Sequence, residues 1–342
     1  MKILVFNPSF LGDSVLTTPL IKAVRHYFPD SSVDFCVRPE NAPLFRGMEL
    51  INEVITFDKR GSAGGVAGTF RFVRELKKRE YDIIISCHKS FRSSLTMALT
   101  GVLRRVGFSQ SAFSFLYTET VSRNMNLHEV ERNLMLLEPL IADFSLEEVK
   151  KTAGKAEVFV DERINSNAVK YIKSASGGRK PIGINAGSVW ATKRWHGERF
   201  AEVADRLYDN GFFCVLFGAP SDSESCALVA ASAERPLMNT CGRLPLGQLP
   251  SYIKAMDALI TNDSGPLHIA SAVGTPAVAI FGPTVKELGF FPYDDKSIVV
   301  EKELYCRPCG LHGGNDCPEG HFRCMGEITA DDVFEAAKKV LK

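Results

Sequence analysis

Two short segments near opposite ends of this chain, Asn7-Pro-Ser-Phe-Leu-Gly-Asp13 and Thr261-Asn-Asp-Ser-Gly-Pro-Leu-His268, each follow an apolar strand-like run and open a helix-like one. Such a turn belongs to an open α/β sheet, where ligands sit beyond the carboxyl ends of the strands, against backbone N–H groups and helix N-termini. Two of them so far apart in sequence call for two sheets, with two crevices facing each other. The length of 342 residues agrees, because one hydrophobic core seldom grows beyond about 250 to 300 residues.

The rest of the chain alternates accordingly. Ile3 to Phe6 reads as a buried first strand, and the helix after it carries Val15, Leu16, Leu20, Ile21 and Val24 on one side. Pro19 either kinks that helix or lies in the first turn of one that begins near Thr17. Further strands are expected at Val33 to Val37, Val54 to Phe57, Ile83 to Ser86 and Arg105 to Phe108, with a helix from about Val66 to Lys78. Ser174-Ala-Ser-Gly-Gly-Arg-Lys180 has linker composition, and Pro181-Ile-Gly-Ile-Asn185 restarts the pattern. Strands then follow at Phe212 to Phe217, Ala258 to Thr261 and Ala277 to Phe281, and Ala330 to Leu341 reads as an amphipathic helix. The expected divisions are residues 1–172, residues 173–325 with a Cys-rich segment at 306–324, and a terminal helix in 326–342.

A net charge of +1 with 24% charged residues exerts no global pull toward nucleic acid, so an acidic partner must be met by local patches. The opening Met1 to Phe6 is too short for a signal-peptide core, and no apolar run approaches the ~18 to 20 residues of a membrane span. A cytoplasmic protein is expected. Nine cysteines, an odd number without an export signal, argue against a disulfide framework.

Neither turn is a standard phosphate motif. There is no Walker sequence, and the first turn holds only Gly12 where a dinucleotide fingerprint needs three glycines. What it does hold is Asp13, either a helix N-cap or a general base for an incoming hydroxyl. Past Asn185, Lys193 and Arg194 form either a phosphate clamp, a point charge beside a bidentate fork, or a solvated basic pair next to Trp190 and Trp195. Ser264 and Gly265 begin a helix whose amides suit a phosphate; Asp263 would repel one, so it caps the helix or accepts sugar hydroxyls. His268 is either a ligand contact or a partly buried helix residue. Asp222 and Glu224, after the strand Phe212 to Phe217, either accept ribose hydroxyls or cap a helix.

Phe10-Leu-Gly-Asp-Ser-Val-Leu-Thr-Thr-Pro19, Lys193-Arg-Trp195, Thr261 to Pro276 and Phe281-Gly-Pro-Thr284 together resemble the ADP-heptose:lipopolysaccharide heptosyltransferases of glycosyltransferase family 9, in order and over nearly the whole chain. The resemblance implies a GT-B fold, two Rossmann-like domains facing a central cleft, with the acceptor on the N-terminal domain and the ADP-sugar on the C-terminal one. It implies inversion without a catalytic metal or other required cofactor. Asp13 would deprotonate the acceptor hydroxyl and Lys193 would offset charge on the departing ADP. Ser188, Asp263, Ser264, Gly265 and His268 match positions around the diphosphate and heptose. The first loop is closer in feel to the enzyme that adds the second heptose, onto heptosyl-Kdo2-lipid A. The expected partners are ADP-heptose and a lipid A-core acceptor, met at the inner face of the inner membrane by peripheral contact.

Lys89 and Arg92 follow the strand Ile83 to Ser86 and either meet acceptor phosphates, with Arg104, Arg105 and Arg123 adding to the patch, or lie on a solvated helix face. Cys306-x2-Cys309-x7-Cys317-x6-Cys324 has the makings of an all-thiolate structural zinc site, with His312 and His321 as substitute ligands, or else of free or redox-active thiols, or of a cluster such as iron–sulfur. Two other readings stay open. One is a different nucleotide-sugar transferase or epimerase of GT-B architecture, or the transferase of the first heptose. The other is a non-catalytic, zinc-dependent interaction protein.

Overall fold

The structure is a computed structural model and describes residues 1–59 and 61–342. The chain divides into two compact units, Met1–Phe159 and Val160–Lys342. The first holds a parallel sheet of β1 (Lys2–Phe6), β2 (Ser32–Val37), β3 (Glu53–Thr56), β4 (Ile83–Ser86), β5 (Arg104–Phe108) and β6 (Glu119–Val121). The second holds β7 (Lys180–Asn185), β8 (Phe212–Phe217), β9 (Met238–Asn239), β10 (Ala258–Asn262), β11 (Ala277–Phe281) and β12 (Ile298–Glu301). The central strands read as unbroken apolar runs because helices cover both faces of a parallel sheet; Ile3, Leu4, Val5 and Phe6 are all fully buried.

The sheet orders are β3-β2-β1-β4-β5-β6 and β12-β11-β10-β7-β8-β9. Counted within each unit they are the same doubly wound order, in which the first and fourth strands are neighbours and the winding reverses between them. Phe6 pairs with Ser86 across the first of these junctions, and Asn185 with Thr261 across the second. The loops leaving β1 and β4, and those leaving β7 and β10, therefore flank the point where an open sheet takes its ligand.

Pro19 occupies the second position of the helix Thr18–Tyr27, where its missing N–H is no loss. A separate short helix, Leu11–Val15, precedes it. The division between units lies ahead of the helix Glu162–Ser176, so the Ser/Gly-rich stretch is not a linker. Asp161 caps that helix at the N–H groups of Arg163 and Ile164, and Gly177, at φ 60°, ends it in the left-handed conformation. The terminal helix Ala330–Val340 is part of the second unit's core, which it enters through Val333, Phe334 and Ala337.

Candidate functional site

In the first unit the loop after β1 is laced down from several sides. Asn7 Nδ2 donates to Thr17 Oγ1 (2.7 Å), and Thr17 Oγ1 donates to the Asp13 carbonyl (2.8 Å). Asn41 Nδ2 reaches Ser9 O (3.2 Å) and Ser14 Oγ (3.0 Å), while Arg38 Nε and Lys59 Nζ both donate to Pro8 O, at 3.1 and 3.0 Å. Asp13 is not the N-cap. It is the third residue of Leu11–Val15, whose N-cap is Phe10, and its carboxylate takes a backbone hydrogen bond from Phe10. It is half-buried but densely surrounded by protein. Burial, with the negative charge of Glu129 added, pushes the Asp13 carboxyl up to about 7, against the pull of the Phe10 backbone, Arg123 and Arg38. Glu129 is itself buried and clamped between Arg123 and Arg132, the latter at 3.1 Å.

Around this carboxylate lies a group of cations that crowd one another. Burial, then the charges of Arg38 and Arg92, lower Lys59 to about 8. Burial and the charges of Lys59, Arg38 and Lys89 lower His88 to about 3, so the imidazole is neutral, 3.2 Å from Lys59 Nζ and 2.6 Å from Ser93 Oγ. Lys89 is pushed down by burial and then by Arg123. Lys59 and Arg38 escaped the sequence reading, since only the β2 and β3 turns coming alongside the β1 turn reveals them.

Arg92, expected to bind acceptor, is instead engaged inside the unit. Its guanidinium donates to the carbonyls of Lys59 (3.1 Å), Ala63 (2.7 Å) and Gly65 (3.0 Å) and to Thr69 Oγ1 (2.9 Å). Arg104 pairs with Glu119, Arg105 donates to the carbonyls of Leu116 and Val102, and Arg123 is paired with buried Glu129. We expect Arg92→Ala to cost about 2 kcal/mol in urea unfolding, as befits charged hydrogen bonds lost to carbonyls. Lys89→Ala should leave the unfolding midpoint in place and raise the KM of an anionic acceptor.

In the second unit the loops after β7 and β10 meet in one buried node. Lys193, in the 3-10 turn Ala191–Lys193, forms an ion pair with Asp263 Oδ2, with side chains only 11% and 7% exposed. Thr284 Oγ1 donates to the same oxygen at 2.6 Å. Asp263 thus neither caps the helix Gly265–Val273, whose N-cap is Ser264, nor stands alone to repel a phosphate. Asn262 fixes the neighbouring backbone by accepting from Trp195 N (3.1 Å) and donating to Ala186 O (2.9 Å). Asn185 Nδ2 reaches Ser264 Oγ (3.3 Å) and Gly187 O (3.2 Å).

Arg194 Nε turns back to Ser188 O at 2.8 Å, and Trp195 is a core residue stacked edge-on against Phe200. His268 and Ser188 are buried, at 4% and 6% exposure. Asp222 accepts from Ala219 N (2.9 Å) and lies over Gly187, where an added Cβ would come within 2.2 Å of its carboxyl carbon. Only glycine lets that carboxylate sit against the β7 loop.

The zinc expectation has no support here. Among the described residues no three His, Cys, Asp or Glu side chains gather in a way that could hold a metal ion. Cys324 is 4% exposed and belongs to the core, Cys309 is exposed with Sγ toward Cys306 O at 3.4 Å, and Cys306 lies 3.9 Å from His321 Nε2. Burial raises the Cys324 thiol to about 11. The segment acts instead as a brace. Gly314 exchanges hydrogen bonds with Thr192 (3.0 and 2.8 Å) beside Lys193, and Cys309 N donates to Pro283 O (2.9 Å) beside Thr284.

Residues 69–314 match the profile of Glycosyltransferase family 9 (heptosyltransferase). The chain is 27% identical to lipopolysaccharide heptosyltransferase 2 of Escherichia coli K12, covering all of this chain and 99% of that one. Among solved structures it is similar to a glycosyl transferase family 9 protein from Veillonella parvula, with a TM-score of 0.87 and 28% identity, over 99% of this chain and 97% of that one. It is also similar to ADP-heptose LPS heptosyltransferase II of E. coli, with a TM-score of 0.81 and 26% identity, over 100% and 98%.

Proposed function

The chain belongs to glycosyltransferase family 9, the heptosyltransferases, and from that premise we propose that it transfers L-glycero-D-manno-heptose from ADP-heptose, with inversion, to heptosyl-Kdo2-lipid A in the lipopolysaccharide inner core. Its paired doubly wound sheets are those of a GT-B fold. The observation that carries the reaction is Asp13, a carboxyl raised to about 7 at the carboxyl end of β1. A base matched to neutral pH is what an attacking hydroxyl requires.

In this reaction the acceptor hydroxyl gives its proton to Asp13 as its oxygen bonds to the anomeric carbon. The bond from that carbon to the diphosphate oxygen breaks through an oxocarbenium-like state. ADP leaves with its negative charge met by Lys193, an electrostatic contribution of the kind that dominates many enzymes. Asp263 and Thr284 hold the lysine for this, and Ser188, Asp222, Ser264, Gly265 and His268 line the donor side. On the acceptor side the crowded cations Lys59, Arg38 and Lys89 answer the carboxylates and phosphates of a Kdo-lipid A core. The site is the cytoplasmic face of the inner membrane. The likeness to chains called heptosyltransferase 2 over full length supports the second-heptose acceptor.

The test is ADP release from ADP-heptose, with mass analysis of the product, on Kdo2-lipid A and on its monoheptosylated form. Transfer to the second acceptor alone is expected. Transfer to the first alone would move the assignment one step earlier, and a nucleotide-sugar altered without acceptor would replace transfer with epimerisation.

A further inference from the structure

The first unit carries an apolar surface that the reaction does not use. Phe91, Phe113 and Phe115 stack in a row, with ring centroids 4.6 and 5.4 Å apart, yet they are 47%, 49% and 76% exposed. Three adjacent exposed phenylalanines are costly in water and mark a surface that meets something apolar. Phe113 is held outward in the left-handed region, at φ 58°, where a bulky residue is seldom found. Its loop is tied to the site, since Ala112 N donates to Lys89 O at 3.0 Å.

Beside this row the helix Gly65–Lys77 presents Val66, Phe70 and Arg74 at a four-residue spacing, all exposed, with exposed Arg71 next to them. Arg92, one residue after Phe91, donates to Gly65 O and so pins the start of that helix to the start of Phe91–Thr100. Arg71 and Arg74 enter none of the ion pairs among the described residues. Of the other basic residues nearby, Lys78, Arg79 and Arg104 are paired with Glu75, Glu53 and Glu119, so the free charge on this face is that of Arg71 and Arg74. Exposed aromatics flanked by uncompensated cations are the composition of a surface that lies in the headgroup region of an anionic bilayer.

We infer that the face formed by Phe91, Phe113, Phe115, Val66 and Phe70, with Arg71 and Arg74, docks the chain on an anionic phospholipid surface. It rests on the proposed reaction only in so far as a lipid acceptor explains why such a surface adjoins Lys89. The aromatic rings enter the interface while the guanidinium groups meet lipid phosphates.

Co-sedimentation of the full chain with vesicles of phosphatidylglycerol and phosphatidylethanolamine, against vesicles of phosphatidylcholine alone, tests it. Partitioning to the anionic vesicles should exceed that to the neutral ones about tenfold or more. Phe91→Ser/Phe113→Ser/Phe115→Ser should lower it about tenfold or more, and Arg71→Glu/Arg74→Glu should erase the preference for anionic lipid. Phe115→Ser alone, the mildest change, should lower binding in the same direction. Every variant should turn over a deacylated, water-soluble heptosyl acceptor within about twofold of wild type, since none of these side chains touches the reacting groups. Wild-type indifference to both vesicle types, or a triple variant that binds as wild type does, overturns the inference. So does a wild-type dimer that the triple variant converts to monomer without any vesicle binding, which would make the face a self-association surface. Failure of the wild type on the soluble acceptor, with vesicle binding intact, counts against the proposed reaction and not against the docking face.

Discussion

Asp13→Asn is expected to lower kcat by about 100- to 10,000-fold, the range for losing a general base, while leaving donor and acceptor KM within a few fold. The amide keeps the shape and an oxygen for the Phe10 backbone, so the loop laced by Asn7, Thr17 and Asn41 stays in place. The pH profile carries the sharper expectation. The base works only when ionised, so kcat/KM of wild type should rise with pH and level off above about 7. Stability should move the other way. Because folding raises this carboxyl above its ordinary value, the contribution of the protonated group is fully present at acid pH and is lost as pH climbs through about 7. Asp13→Asn, which cannot ionise, should therefore be more stable than wild type above pH 7, with the gap closing as pH falls below the ordinary carboxyl range. A variant that is inactive and also less stable at pH 8 would mean that Asp13 only holds its helix. Near wild-type turnover would end the general-base role.

Much of this was legible in the sequence because a parallel sheet leaves unbroken apolar runs. Ile3 to Phe6, Phe212 to Phe217 and Ala277 to Phe281 stand out as such, and the turns that follow β1 and β10 carry Asp13 and Asp263 in plain view. The strands that escaped are β6, β9 and β12, three of the four sheet-edge strands. Glu119–Val121 and Met238–Asn239 are three and two residues long, and Ile298–Glu301 is only half-buried, so none has a pattern to announce it. What no local pattern could convey is pairing at long range. Lys193 and Asp263 lie 70 residues apart, and each read by its own neighbours suggests a different part, one a clamp and the other a repulsive neighbour. Together they are one neutral node with Thr284 attached. Arg92 shows the converse. Its charge and its place after β4 suited an acceptor contact, and only the approach of Lys59, Ala63 and Gly65 shows that its guanidinium is occupied. The cysteine spacing likewise promised a metal, whereas among the described residues no three ligating side chains gather there.

The buried node makes the second large prediction, in which activity and stability separate. Lys193→Ala should lower kcat about 100- to 1,000-fold, the loss typical of one preorganised electrostatic contact to a developing charge. It also strands the Asp263 carboxylate in a site only 7% exposed, with Thr284 as its remaining partner. Breaking a buried pair from one side costs about 3 to 5 kcal/mol, and an apolar pair of similar volume often restores it. Lys193→Met/Asp263→Leu should thus recover most of the unfolding free energy lost in Lys193→Ala and none of the turnover. Thr284→Val tests the third member. Removing a hydroxyl that donates to a carboxylate leaves Asp263 bound to lysine alone, which tightens the hold of Asp263 on the cation that the leaving diphosphate needs. A fall in kcat of about tenfold, rescued by Thr284→Ser, is the expected result, with donor KM changed less, on the scale of one charged hydrogen bond. If Lys193→Met/Asp263→Leu regained activity along with stability, the node would be a structural pair and the leaving group would be met by another residue.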